Sequence, residues 1–286
     1  PALVSAGKVL AAAMLCAFAS SAQETDAMKL PAQLAGAFAI TALCTRDVSS
    51  MIGLARETVT KISDFTALLL PVLSSSLAAS GGSVSAGTLL AGGSFAMSLL
   101  TKLASGVLIP LVYVYILLSA AECATDGGGL GKIRALGGRA ISLLIKGLCA
   151  VFTAYLSLSR VLTGSADAFA LKAAQAAFSG MVPVVGSMLS DASESLLASA
   201  GLIRSAAGAF GILAVISMAI MPFLRLGAFY LALKLAGAIG EGAVMKPHAA
   251  LLSNLASAMG YMLAIAASAL WMSLVSAACF LKAVNG

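Results

Sequence analysis

Charge is what this sequence has least of. Of 286 residues, 17 are Lys or Arg and 11 are Asp or Glu, so charged side chains make up 10% of the chain. A soluble domain carries roughly 25%. With so few ionic groups, water cannot solvate the surface, and most soluble-enzyme readings fall away. Histidine is scarcer still, with His248 alone in a polar loop. HExxH, GxSxG and membrane GxGD motifs are all absent, so histidine-ligated zinc and Ser-His hydrolysis have no residues to run on. The five cysteines (Cys16, Cys44, Cys123, Cys149 and Cys279) are far apart and form no CxxC pair. Neither a zinc site nor a disulfide framework is supported, and small apolar packing is their expected role. The net charge is +6, yet no basic run is interleaved with aromatics, so a nucleic-acid partner is not expected. These absences predict no enzyme, no metal and no cofactor.

What is abundant is apolar sequence. Hydrophobic residues make up 60% of the chain, and mean hydropathy is +1.04. They come in runs long enough to cross a bilayer, separated by short polar stretches. Backbone polar groups in lipid must be satisfied within the chain, which leaves helices as the economical solution. The expected fold class is all-α: a polytopic helical membrane protein of about seven spans, with lipid as its surroundings. The 28 glycines and many Ala and Ser allow close helix packing in lipid. The cationic surplus fits Lys and Arg gathered in cytoplasmic loops.

The first apolar run covers residues 3–22, with Lys8 near its start, and reads either as a signal peptide or as a first spanning helix. A second follows at residues 30–44. Arg56, Glu57, Lys61 and Asp64 mark an amphipathic stretch, read as interfacial or as a solvated helix end. Residues 65–80 form a short run interrupted by Pro71 and followed by Gly81-Gly82, the pattern of a broken or re-entrant segment. Residues 88–121 are too long for one straight span and contain Gly106 and Pro110, predicting two helices or one kinked helix. Residues 122–139 read as a loop with Gly127-Gly128-Gly129. Its cations Lys132, Arg134 and Arg139 place it in the cytoplasm. A span follows at 140–162, with Lys146 and Arg160 near its ends. After a polar stretch at 165–179 comes a second short run, 181–197, broken at Pro183 and Gly186. Residues 206–240 form a long run kinked at Pro222, and 251–281 a final span.

Two landmarks recur at one common offset: Pro71-Val72 matches Pro183-Val184, and Pro110 matches Pro222. Chance matching of prolines in apolar sequence competes with duplication. If duplication holds, residues 63–162 superpose on 178–281. Three crossings per half then invert the repeats, and the paired broken segments line a pathway near the midplane. The division that follows is 1–54 as N-terminal spanning helices, 55–165 as a first membrane repeat and 166–286 as a second.

The densest polar cluster comprises Asp167, Lys172, Asp191, Glu194 and Arg204, beside the broken segment Pro183-Val184-Val185-Gly186. A charge at the bilayer centre costs roughly 2.5–3.5 kcal/mol on insertion scales, so such residues persist when paired or facing water. Either Asp191 and Glu194 sit in an extramembrane turn, or the cluster forms a pore or partner surface. Pro71, Gly81 and Gly82 are the counterpart in the first half.

Val182-Pro183-Val184-Val185-Gly186 followed by Leu189-Ser190-Asp191-Ala192, with Asp167, Leu171-Lys172, Arg204, Ala206-Ala207-Gly208 and Pro222, resembles the stage III sporulation protein AE family of endospore-forming bacteria. Asp64-Phe65, Leu70-Pro71-Val72 and Ala79-Ser80-Gly81-Gly82 are similar to that family upstream. The family often has Lys-Asn where Arg204-Ser205 stands. Its members usually carry a signal peptide and an extracytoplasmic N-terminal region, which favours reading this chain as a fragment that starts near the first bilayer helix. The resemblance implies a multi-pass protein of the mother-cell membrane around the forespore. It implies partners in a stage III sporulation transport or channel complex, among them a secretion-type ATPase. A non-enzymatic membrane subunit of that complex is the first expectation; a secondary transporter with a midplane substrate site is the alternative.

Overall fold

A computed structural model describes residues 26–124, 128–179, 185–242 and 246–283. Side chains are described for 44–123, 129–159, 201–239 and 249–283, and for a few positions outside these, Asp167 and Lys172 among them. The described chain is helical and contains no strand, as lipid-soluble backbone requires. In order the elements are α1 (Asp26–Ala79), α2 (Ser83–Leu103), a π-helical turn (Ala104–Leu108), α3 (Ile109–Ala124), α4 (Gly128–Ser179), α5 (Val185–Gly242) and α6 (Lys246–Lys282). Among the described residues, five stretches are long and apolar enough to cross a membrane: Cys44–Ala79, Ser83–Cys123, Gly129–Ser159, Gly201–Ile239 and Ala249–Lys282. Residues 3–22, read as a signal peptide or a first span, lie outside the described residues.

Several expected interruptions are absorbed into helices. Pro71 does not break α1, which runs on to Ala79. Pro71 and Ala67, whose carbonyl loses its donor to the proline ring, both lie on the exposed face, so the core side of the helix is undisturbed. The break comes instead at Gly81-Gly82. At Pro110 the helix continues through the π-helical turn, with the Ile109 N–H bonded to the Ala104 carbonyl. Widening the turn just ahead of the proline accommodates its ring without ending the helix. Pro222 lies inside α5. The stretch read as a loop at 122–139 is mostly helix, because α4 already starts at Gly128 and carries Lys132, Arg134 and Arg139 in its first turns. Lys146, expected near a span end, falls near the middle of Gly129–Ser159.

The chain forms two compact units. The first comprises Pro1–Val59, Lys102–Lys146 and Ile220–Ala267. Its core includes Ile52, Leu108, Val112, Ile141, Leu226, Phe229, Met259 and Met262. There α5 and α6 approach closely: a Cβ on Gly237 would stand 3.1 Å from the Ser253 amide nitrogen. Lys234 Nζ donates to Ser253 Oγ at 3.1 Å.

The second unit comprises Thr60–Thr101, Gly147–Ala219 and Ser268–Gly286. Ile62, Leu70, Leu73, Leu77, Leu100, Met272 and Phe280 fill its core. Small residues set the packing: a side chain on Gly208 would strike Leu281, and one on Gly211 would strike Leu69. Thr66 Oγ1 donates to the Ile62 carbonyl at 2.6 Å. Its single hydrogen is thereby used, so in the 2.7 Å contact between Thr66 and Ser273 the serine is the donor.

Candidate functional site

The polar cluster expected in the second half resolves into two different arrangements in the second unit. The first is a capped turn. α1 ends where Gly81 adopts φ 93°, a left-handed conformation that costs glycine nothing. The Gly82 N–H bonds the Leu77 carbonyl and the Gly81 N–H bonds the Ala78 carbonyl, both at 3.1 Å, the paired closure of a Schellman motif. α2 then starts at once, with the Ala86 N–H bonding the Gly82 carbonyl at 2.8 Å. Gly82 is thus the N-cap residue, and it has no side chain to satisfy the free amides of the first turn.

Asp167 supplies what Gly82 lacks. Its Oδ1 accepts the Val84 N–H at 2.9 Å and its Oδ2 accepts the Ser85 N–H at 3.0 Å. These are the second and third amides of α2, the pair that an N-cap side chain normally serves. The carboxylate comes from α4, eighty residues away in sequence, and also meets the positive end of the α2 dipole. Tyr155, three turns earlier on α4, donates its hydroxyl to the Thr88 carbonyl at 2.9 Å, and its ring lies where a side chain on Gly92 would be. One helix therefore pins the start of another at two levels.

The second arrangement is a buried charge. Arg204 lies in α5 within the candidate span Gly201–Ile239 and is 3% exposed. Its Nε and Nη1 have no hydrogen-bond partner among the described residues. Asp167 bonds the Val84 and Ser85 amides of α2 and makes no hydrogen bond to Arg204 Nε or Nη1. Within α5 the acidic residues nearest Arg204 are Asp191, Glu194 and Glu241. Glu194, the closest, stands ten positions away, about 15 Å along the axis, beyond the reach of i,i+4 pairing.

The other predicted residues are placed as follows. Lys172 is exposed on α4. Val185, Gly186, Asp191 and Glu194 belong to the first turns of α5, with side chains outside the described set. Pro183 and Val184 lie outside the described residues. Pro71 is within α1, and Gly81-Gly82 forms the capped turn. The described members of the cluster are thus not joined to one another.

Over residues 6–283 the sequence matches the family model described as stage III sporulation protein AE. The chain belongs to that family. It is 27% identical over 191 residues to stage III sporulation protein AE of Bacillus subtilis (strain 168), a match covering 66% of this chain and 47% of that protein. The chain therefore spans about half the length of the curated relative it matches. No solved structure matches it.

A third polar group, in the first unit, escaped the sequence reading. Arg134 on α4 donates from Nε to Glu122 Oε2 at 2.6 Å and from Nη1 to the Tyr115 hydroxyl at 3.0 Å. Its guanidinium also lies over the Tyr115 ring, 5.5 Å from the centroid. Tyr115 packs edge-on against Tyr261 of α6, with centroids 5.4 Å apart. Two glycines of this sporulation-family chain signal the site in retrospect. A side chain on Gly131 would strike Glu122, and one on Gly138 would strike Tyr261, so both leave α4 bare where polar groups from α3 and α6 approach it.

Proposed function

We propose that this chain is a non-catalytic, multi-pass membrane subunit of the stage III sporulation transport or channel complex between mother cell and forespore. The observation that carries this reading is Arg204. A guanidinium buried in an apolar span is costly unless something neutralises it, and the described chain gives its Nε and Nη1 no partner. An anionic group on another subunit, or a water-filled path formed with one, answers that demand. Family membership supports the sporulation setting. The five apolar helices support a membrane location. The absence of HExxH and GxSxG motifs and the single histidine in 286 residues support a non-catalytic role.

The test is an affinity-tagged chain expressed during sporulation, with co-purifying proteins identified for the native chain and for Arg204→Leu. The reading expects other stage III proteins and a secretion-type ATPase with the native chain, and their loss from the variant. Purification of the native chain alone, under detergents that preserve membrane complexes, would overturn it.

A further inference from the structure

A cavity of about 450 Å³ opens on the first unit beside the Arg134 network. Its volume suits a small polar headgroup rather than a single ion. Arg134, Arg139 and Lys146 of α4 line it, together with Ser142 and the tyrosines Tyr115 and Tyr261. Among the described residues no acidic side chain lines it. Glu122 neutralises Arg134 from outside it, whereas Arg139 and Lys146 have no acidic partner among the described residues. Among the described residues, the pocket therefore carries two uncompensated positive charges. Both lie on a stretch apolar enough to cross a membrane, where an unneutralised cation is disfavoured.

Arg139 and Lys146 stand seven residues apart and so share one face of α4, about 10 Å apart along its axis, and both line the cavity with Arg134. Arg134 uses its Nε and one Nη1 hydrogen on Glu122 and Tyr115 and keeps its remaining donors for a ligand. The Ser142 and tyrosine hydroxyls add neutral donors. Bare backbone at Gly138 keeps the Tyr261 hydroxyl close to α4. The set matches the oxygens of a phosphate. Leu143, also on the lining, is 73% exposed, and Leu136 and Ile133 on the same helix are 62% and 55% exposed. An apolar chain leaving the cavity would find these side chains.

We propose that this cavity binds the phosphate headgroup of an anionic phospholipid, with Arg139 and Lys146 neutralising it and Arg134 fixing its orientation. Basic pockets between membrane helices suit such headgroups. This inference does not rest on the subunit reading above. The purified full chain, held in phosphatidylcholine nanodiscs, is titrated with phosphatidylglycerol, and bound lipid is counted by native mass spectrometry. Each of Arg139→Gln and Lys146→Gln should weaken retention about fivefold, and the double variant about thirtyfold. Lys102→Gln with Lys172→Gln, two exposed cations elsewhere, removes the same net charge and should change nothing. Because Arg139 and Lys146 are exposed and have no acidic partner among the described residues, their replacement should leave the thermal melt of the helices unchanged. Inorganic phosphate should fail to displace the lipid. Unchanged retention by the double variant would overturn the proposal. Equal weakening in the charge control, or displacement by inorganic phosphate alone, would overturn it equally, the latter assigning the site to free phosphate.

Discussion

Arg134 and Arg204 are the same side chain on two apolar spans, met in opposite ways. Arg134 is one-fifth exposed and has a carboxylate, a phenol hydroxyl and an aromatic face. Arg204 is 3% exposed, and two of its three nitrogens have no partner among the described residues. A charge that the chain satisfies for itself is part of the fold. A charge with no partner among the described residues calls for one beyond them. Desolvation makes the distinction sharp, since an unpaired buried ion loses several kcal/mol of hydration with no return.

The comparison breaks most visibly at Arg204. Arg204→Leu removes a desolvated charge and keeps an apolar side chain in the span. The chain's own stability should stay level or rise by about 1–4 kcal/mol, read by thermal unfolding in detergent. Heat-resistant spore counts should nevertheless fall by orders of magnitude. Loss of stability together with loss of spores would mean that the partner lies within the chain. Normal spore counts would remove Arg204 from any functional role.

At Arg134 the expectation reverses. Glu122→Gln leaves a half-buried guanidinium without its counter-charge and should destabilise the chain by about 1–3 kcal/mol. Glu122→Gln with Arg134→Gln should recover part of that loss, and the double-mutant cycle should give a coupling of about 0.5–2 kcal/mol. An additive cycle would show the pair to be incidental. A drop in stability for Arg204→Leu as large as that for Glu122→Gln would erase the contrast between the two arginines.

The membrane-helical class was legible because composition and run length bear directly on solvation. The interruptions were less so. Pro71 read as a break, yet α1 runs on through it, while Pro110, read as a kink or a boundary between two helices, and Pro222, read as a kink, lie within continuous helical stretches. A proline removes one hydrogen bond and displaces one carbonyl, and an exposed face or a π-helical turn absorbs that locally. The glycines at 127–129 read as a turn, yet Gly128 and Gly129 already lie in α4, and Lys132 to Arg139 belong to helix, where the glycines at 131 and 138 serve packing rather than turning. Asp167 was picked out as polar among apolar neighbours. Its role was not legible, because the amides it caps lie eighty residues earlier and carry no side-chain signature. Tyr115 and Tyr261 were missed altogether, since an aromatic in an apolar run reads as core until its hydroxyl's partner is known.

The smallest effect is expected at the cap, where a pairing satisfied by the fold can be replaced by another. Asp167→Ala strips two amides of α2 of their acceptor and should cost about 1–2 kcal/mol. Asp167→Asn keeps one acceptor oxygen and loses the charge, so its cost should be about half of that. The decisive variant places the carboxylate where a helix usually carries it. Gly82 is the N-cap residue of α2, so Gly82→Asp offers the same two amides a local acceptor. Its Cβ would stand 2.9 Å from Leu77 Cδ1, a flexible methyl that can turn aside. In an Asp167→Ala background, Gly82→Asp should therefore restore most of the lost stability, measured as the midpoint of thermal unfolding. In the native background it should give nothing, because the amides are already satisfied and two carboxylates would crowd one helix end. Rescue in the first background and none in the second is the signature of a cap supplied from α4. Equal effects in both would show that Asp167 stabilises the chain by some other route.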